Sequence, residues 1–146
     1  MLLKRASAGA EVSAGHYTTL YLIENAMRYK LCDMGYADDE ALPGGLKTAI
    51  QDARKKEKKQ LEEAGISKHV RMHSEGVWYL QFPELTSMKK HDRTSCFNID
   101  FRDRELLRIL RNVVMHTADL TEPGRGYLAE KISVLEKAVR EAGIDK

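Results

Sequence analysis

Apolar residues recur at steps of three and four positions in four segments of the chain, which is the spacing of an amphipathic helix. These segments are residues 16–34, 46–64, 104–120 and 127–142. The second segment has only a thin apolar stripe, formed by Leu46, Ile50, Ala53 and Leu61. A thin stripe buries little surface, so we expect this helix to pack on the outside of the bundle.

The segment 104–120 is expected to be the central helix because one broad side of it is apolar. At about 100° per residue, the same helix carries a polar strip that contains Glu105, Arg108, Asn112, His116 and Asp119. Asn112 lies one turn before His116, and Asp119 follows His116 closely. We therefore expect either side chain to hydrogen-bond the imidazole and fix its tautomer.

Between residues 68 and 101 the spacing of apolar residues changes from helical to alternating. The stretches 69–73 and 77–82 predict a β-hairpin that ends at Pro83. The stretch 96–101 predicts a third strand, with three inward-facing residues: Phe97, Ile99 and Phe101. The expected fold class is therefore α+β, a four-helix bundle-like core with a small antiparallel β-sheet inserted between the second and third helices.

The first fifteen positions, 1–15, are rich in Ala, Ser and Gly and show no periodicity, which predicts a flexible N-terminal tail. A chain of 146 residues suits one domain, so residues 16–146 are expected to form a single α+β domain. A net charge of +2 is too small to indicate nucleic-acid binding by itself. Any such binding would depend on local clusters of basic residues.

Two cysteines, Cys32 and Cys96, are too few for a disulfide framework, so a reducing cytoplasm is the expected location. The apolar run at the start, Met1 to Leu3, is too short for the core of a signal peptide. No stretch approaches the roughly 20 apolar residues of a membrane span. We therefore expect no membrane partner.

Histidines of the predicted hairpin are the residues that would suggest a metal site. His69 and His73 share a face of a regular strand, but they would lie about 13 Å apart, too far to bind one ion. The chain also lacks a Gly-rich phosphate loop, a nucleophile elbow and a metal-binding helix motif. No metal and no cofactor are expected.

The most informative motif lies on the central helix and consists of Arg111, Asn112 and His116 in the run Arg-Asn-Val-Val-Met-His. An Arg and a His separated by four residues, with a polar residue directly after the Arg, resembles the signature of the HEPN superfamily of helical ribonucleases and their non-catalytic relatives. The resemblance implies that Arg111 and His116 are the two signature residues and Asn112 the polar one. It also implies a homodimer in which two copies of the motif meet in a cleft and cut RNA without a metal.

The residue types fit that chemistry. A histidine transfers protons near neutral pH, and an arginine presents a planar, permanently charged fork to phosphate oxygens. Arg111 lies about 140° around a straight helix from His116, so bringing the two groups to one phosphate requires a kink in the helix, an extended Arg111 side chain or a second chain. The expected roles are acid/base catalysis by His116, transition-state stabilisation by Arg111 and orientation by Asn112, with RNA as the substrate. An inhibitory protein partner, as in toxin–antitoxin or phage-defence modules, is a further candidate.

Two alternative functions remain open at this level. The first is a non-catalytic nucleic-acid-binding or regulatory protein, in which the helix 46–64 and the adjacent hairpin act like a winged helix. Its candidate nucleic-acid-binding residues are Arg54, Lys55, Lys56, Lys58, Lys59, Lys89, Lys90 and Arg93. The same charges also fit a solvated helix face with no ligand. The second alternative is a protein–protein interaction module that uses the exposed face of the central helix.

Overall fold

In this computed structural model, the described residues, 2–116 and 118–144, form five α-helices joined by turns and longer irregular segments. The helices are α1 (Leu2–Leu31), α2 (Gly44–Glu63), α3 (Phe82–Thr86), α4 (Phe101–Met115) and α5 (Glu122–Glu141). A π-helical turn (Cys32–Tyr36) follows α1, and two 3₁₀ turns (Asp39–Ala41 and Gly76–Tyr79) precede α2 and α3. The four predicted helices correspond to α1, α2, α4 and α5.

Side-chain caps explain where the last two long helices begin. The Asp100 carboxylate accepts a hydrogen bond from Asp103 N at the start of α4. The Thr121 hydroxyl accepts one from Gly124 N at the start of α5, and Pro123 stands in its first turn. The helix α5 therefore begins before the predicted position 127. The helix α4 ends at Met115, before the predicted position 120, and Thr117 lies outside the described residues.

The first two long helices differ from their predicted bounds mainly at the N-terminal side. The helix α1 begins at Leu2, within the stretch predicted as a tail, and not at residue 16. Its continuation stops at Gly35, which has a φ of 100° that other residues rarely adopt. At the end of α2, Gly65 has a φ of 73° and Ile66 N donates to Leu61 O at 2.8 Å. Together these features form a left-handed glycine cap.

The predicted β-sheet is wrong: among the described residues there is no strand, and the fold is helical rather than α+β. Among the described residues, an isolated antiparallel bridge joins Lys89 to Ser95 across a tight turn. Val70 is 61% exposed and Met72 is 95% exposed, so the first predicted strand has no apolar face to bury. The second predicted strand forms the 3₁₀ turn instead. Pro83 then starts α3 and does not end a strand.

Two of the three residues that were predicted to face inward from the third strand are buried. Phe97 and Ile99 are buried, as an inward-facing strand would require, but Phe101 is 68% exposed and begins α4. A tight turn, in which Ile99 N donates to Phe97 O at 3.0 Å, places both side chains on the same side. Alternation of buried residues here therefore reflects a turn and a helix cap, not a paired strand.

The chain divides into two compact units. One comprises the described residues of Met1–Met27 and Phe97–Lys146, and most of its buried apolar residues come from α1, α4 and α5. They include Leu20, Ile23, Met27, Leu107, Leu110, Val114, Leu128, Ile132 and Leu135. The other unit, Arg28–Cys96, buries residues that include Leu31, Leu42, Ile50, Val77, Leu80, Phe82, Leu85 and Met88. The predicted RNase motif belongs to the first unit, and the candidate basic residues belong to the second.

No helix among the described residues combines the length and the apolar content that crossing a bilayer requires.

Candidate functional site

The Arg-Asn-x3-His motif occupies the C-terminal end of α4. Arg111 and Asn112 lie in its last turns, and His116 is the residue that ends the helix. The His116 backbone N–H donates to Asn112 O at 3.0 Å, so Asn112 contacts His116 through the main chain. His116 is exposed, whereas Asn112 is half-buried. His116 therefore stands at an exposed helix end.

Arg111 is held in place by an acid on α1. Its Nε donates to Glu24 Oε1 at 2.5 Å, and the Glu24 side chain is only 7% exposed. The Arg111 side chain is itself 26% exposed, so the pair sits at the edge of the core of the first unit. A carboxylate this deeply buried requires a cation beside it, because an unpaired charge there is costly. Arg111 thus has a structural role whether or not it also binds phosphate.

Asp119 does not continue the polar strip of α4, because the helix ends before it. Its Oδ1 accepts a hydrogen bond from the Ser13 hydroxyl of α1 at 3.1 Å. Gly9, one turn earlier on α1, also lies against it: a Cβ at Gly9 would come within 2.9 Å of Asp119 Oδ1. The prediction that Asp119 lies on the same helix face as His116 is therefore wrong. Asp119 attaches the segment after α4 to α1.

Glu24 and Ser13 were not predicted as site residues. Glu24 did have a signal in the sequence: it falls on the apolar side of the first helix, in the series Leu20, Glu24, Met27 and Leu31. A charged residue at such a position needs a partner in the core. Ser13 had no comparable signal, because its role depends on a contact with a residue 106 positions away.

The basic residues of α2 divide into one tethered arginine and four exposed lysines. Arg54 Nη1 donates to Asp39 Oδ2 at 2.5 Å, and Arg54 Nη2 donates to Ser74 O at 2.7 Å. Its guanidinium also lies 5.1 Å from the centre of the Tyr79 ring. The exposed residues are Lys55, Lys56, Lys58 and Lys59. The contacts of Arg54 thus stabilise the second unit, whereas the four lysines face solvent.

The remaining candidate basic residues lie in the turn between the bridged positions 89 and 95. Lys90 N donates to Thr94 O at 2.8 Å, and Arg93 has a positive φ of 68°. Lys89 and Arg93 are exposed, and Lys90 is half-buried. The hairpin that was expected to lie beside the basic helix is absent, so the winged-helix arrangement is not formed by the described residues.

Aromatic side chains make a second distinctive cluster in the unit Arg28–Cys96. The His73 and Trp78 rings stack with centroids 4.0 Å apart, and Tyr29 meets Trp78 edge-on at 5.1 Å. Arg71 covers the Tyr79 ring at 4.0 Å and donates through Nε to both oxygens of Glu57. These contacts hold the irregular segment after α2 against its helices. They explain why this segment is ordered without strands.

The described residues contain no group of three or more His, Cys, Asp or Glu side chains arranged to hold a metal ion. Both cysteines are free thiols. Burial raises the pKa of the Cys96 thiol and also that of Cys32. A thiol with a raised pKa is a poor nucleophile at neutral pH. Neither cysteine is therefore a candidate catalytic group.

Comparison of the chain with protein-family models, with curated proteins and with solved structures gave no match.

Proposed function

We propose that this chain is a metal-independent endoribonuclease of the HEPN type, located in the cytoplasm and active as a homodimer. One observation carries the proposal: the motif residue His116 is exposed at the C-terminal end of α4, while Arg111 is fixed one and a half turns earlier by Glu24. An exposed imidazole and a positioned guanidinium on one helix end are the two groups that cleavage of an RNA phosphodiester needs.

The reaction that fits these groups is an internal transfer of the phosphate. A neutral imidazole takes the proton of the RNA 2′-hydroxyl, and the 2′-oxygen attacks the adjacent phosphorus. The bond from phosphorus to the 5′-oxygen breaks, and that oxygen receives a proton from an imidazolium. The products are a 2′,3′-cyclic phosphate and a 5′-hydroxyl. Arg111 would stabilise the charge that develops on the phosphorane oxygens.

A homodimer would supply a second imidazole, which one chain lacks. The two proton transfers occur on opposite sides of the phosphorus, and a two-fold axis beside α4 would provide two His116 imidazoles. Each Arg111 is tied to α1 by Glu24. A guanidinium from either copy would then lie beside the same phosphate.

The test is cleavage of an end-labelled single-stranded RNA in the presence of EDTA. We expect the parent protein to produce 2′,3′-cyclic phosphate ends, and His116→Ala to be slower by about a hundredfold or more. His91→Ala, which changes an exposed histidine of the other unit, is the matched control and should cleave like the parent. A correctly folded His116→Ala protein that cleaves RNA as fast as the parent would overturn the proposal.

Arg111 needs a separate design because its loss also breaks an ion pair. Arg111→Lys keeps a positive charge but removes the planar fork, whereas Glu24→Gln breaks the ion pair and keeps the guanidinium. We expect Arg111→Lys to lose most of the cleavage rate. Glu24→Gln should keep more of that rate, even if it lowers the melting temperature by a similar amount. If both variants lose the same fraction of the cleavage rate, the role of Arg111 is structural only.

A second candidate function rests on the four exposed lysines of α2, Lys55, Lys56, Lys58 and Lys59. A helix with this many solvated cations would bind nucleic acid through phosphates, with little sequence preference and a steep dependence on salt. Because the predicted hairpin is absent, such binding would use α2 alone. A triple variant with Lys55, Lys56 and Lys59 changed to Glu should lose the salt-dependent affinity. An unchanged binding titration would reject this candidate.

A further inference from the structure

Two tyrosines on the surface of α1 form a stacked pair. Tyr17 and Tyr21 are one helical turn apart, with ring centroids separated by 6.4 Å and planes inclined by 22°. Tyr17 is 50% exposed and Tyr21 is 54% exposed, so neither side chain is buried in the core. Two half-exposed aromatic rings on one helix offer faces on which another planar group can stack.

Two contacts fix how α1 and the end of α4 run past each other. Glu24 meets Arg111, and Ser13 meets Asp119, so the two segments are antiparallel. Between Ser13 and Glu24, α1 rises by about 16 Å. His116 lies between Arg111 and Asp119 in the chain. The two contacts therefore bracket His116 along the chain.

The tyrosine pair lies within the same bracket. Tyr17 and Tyr21 fall between Ser13 and Glu24 along α1. At about 100° per residue, Tyr17 points within about 20° of Glu24, and Tyr21 within about 60° of it. Both residues therefore lie on or beside the side of α1 that carries the contacts with Arg111 and Asp119, between the two contacts that bracket His116 along the chain.

We propose that Tyr17 and Tyr21 bind an unpaired base of single-stranded RNA and so place the neighbouring phosphate at His116. This inference rests on the proposed ribonuclease function and names its substrate class. Base faces are free to stack on tyrosine only where the nucleotide is unpaired, because in a duplex each face is covered by the next base. The pair selects unpaired RNA without reading its sequence, since every base has a π-face.

Binding is measured in the His116→Ala background, so that RNA is not consumed. A fluorescent single-stranded oligoribonucleotide is titrated with this protein and with the same protein carrying Tyr17→Ala and Tyr21→Ala, and anisotropy is recorded. We expect the tyrosine changes to weaken binding by about tenfold or more. Substitution of both tyrosines by Phe should keep the affinity, because stacking needs the ring and not the hydroxyl. A duplex of the same sequence should show a much smaller effect of the alanine changes.

The matched control is Tyr127→Ala on α5, a tyrosine of the same unit with 52% exposure. It should leave the affinity unchanged. Equal binding by the double alanine variant and its parent would overturn the inference. So would a loss of affinity that merely follows dissociation of a dimer, as judged by light scattering, because the rings would then cover a second copy of the chain.

The experiment separates this inference from the ribonuclease proposal. A protein that cleaves RNA normally after both tyrosines are changed to Ala, with the same KM, refutes only the role of the tyrosines. A parent protein that cleaves no RNA refutes the ribonuclease proposal, whatever the tyrosines bind. If both proposals hold, the double variant with His116 intact should show a raised KM and a smaller change in kcat.

Discussion

Glu24 accepts a hydrogen bond from Arg111 Nε at 2.5 Å, across a separation of 87 positions in the chain. The bond connects the buried side of α1 to the end of α4 that carries His116. The same contact therefore contributes to the stability of the first unit and to the position of the proposed RNase motif.

The Glu24–Arg111 pair should matter far more than an exposed pair. We expect Arg111→Ala to lower the free energy of unfolding by about 3 kcal/mol, because it leaves the buried Glu24 carboxylate without a cation. Lys59→Ala removes one member of the exposed Lys59–Glu63 pair and should cost less than about 1 kcal/mol. Urea denaturation followed by circular dichroism measures both values. Similar values for the two variants would show that Glu24 is not buried in solution.

Gly76 should not tolerate a side chain. A Cβ at this position would come within 2.5 Å of Asp39 Oδ1 and 2.9 Å of Ile50 Cδ1, so Gly76→Ala is expected to destabilise the protein by about 1–3 kcal/mol. In Gly126→Ala the new methyl group meets nothing within 4 Å, and its position is inside α5. That control should be neutral or stabilising by up to about 1 kcal/mol. Thermal melting of both variants measures the two effects. Equal shifts of the melting temperature would contradict the packing around Gly76.

Asp39 should make part of the stability depend on pH. Burial acts to raise the pKa of its carboxyl, but hydrogen bonds from Arg54 and from Gly76 N outweigh burial and bring the pKa below its ordinary value of 3.8. A carboxyl with a lowered pKa binds its proton more weakly in the folded state. Its contribution to stability is therefore full above about pH 4 and is lost as the pH falls through the folded pKa.

The measurement compares melting temperatures of the parent and Asp39→Asn from pH 7 down to pH 3. We expect a lower melting temperature for the variant at pH 7 and a gap that narrows below about pH 4. Asp52→Asn, at an exposed position of α2, is the control and should show no such narrowing. A gap for Asp39→Asn that stays constant over this range would contradict the role of the charged carboxylate.

An excess of an inactive variant should suppress cleavage by the parent protein if the active cleft is shared by two copies. We expect added His116→Ala protein to lower the cleavage rate of a fixed amount of parent protein, because a mixed dimer has one His116 imidazole where the two proton transfers need two. Size-exclusion chromatography with light scattering checks that the dimer forms. An active parent that is monomeric under assay conditions would contradict the shared cleft.

The helices were predictable because their signal is local. Side chains three and four positions apart share a helix face, so the apolar series through Leu107, Leu110 and Val114 specified the buried side of α4. The end of α4 was not predictable from that series, because the apolar spacing continues to Leu120 while the helix stops at Met115. The start of α5 had a usable signal in Thr121 and Pro123, which are a helix cap and a first-turn proline.

The strands were wrong for a related reason. Alternation of apolar residues describes a strand only if a partner strand supplies hydrogen bonds and a surface to cover. The stretch around Val70 and Met72 has neither, and it is organised instead by the aromatic and arginine contacts of Trp78 and Tyr79. Those contacts join residues from separate turns. Contacts of this kind leave no periodic pattern, so the spacing of apolar residues along the sequence does not reveal them.

The sequence by itself determined the apolar faces of α2, α4, α5 and the C-terminal half of α1, the glycine cap at Gly65 and the presence of an Arg-Asn-x3-His motif, since each depends on residues within a few positions of one another. Only the tertiary structure decided which groups surround that motif: Glu24 beside Arg111 and Ser13 on Asp119. These relationships depend on how α1 and α4 pack. Packing is set by the whole buried surface of the unit, and no single segment of the chain encodes it.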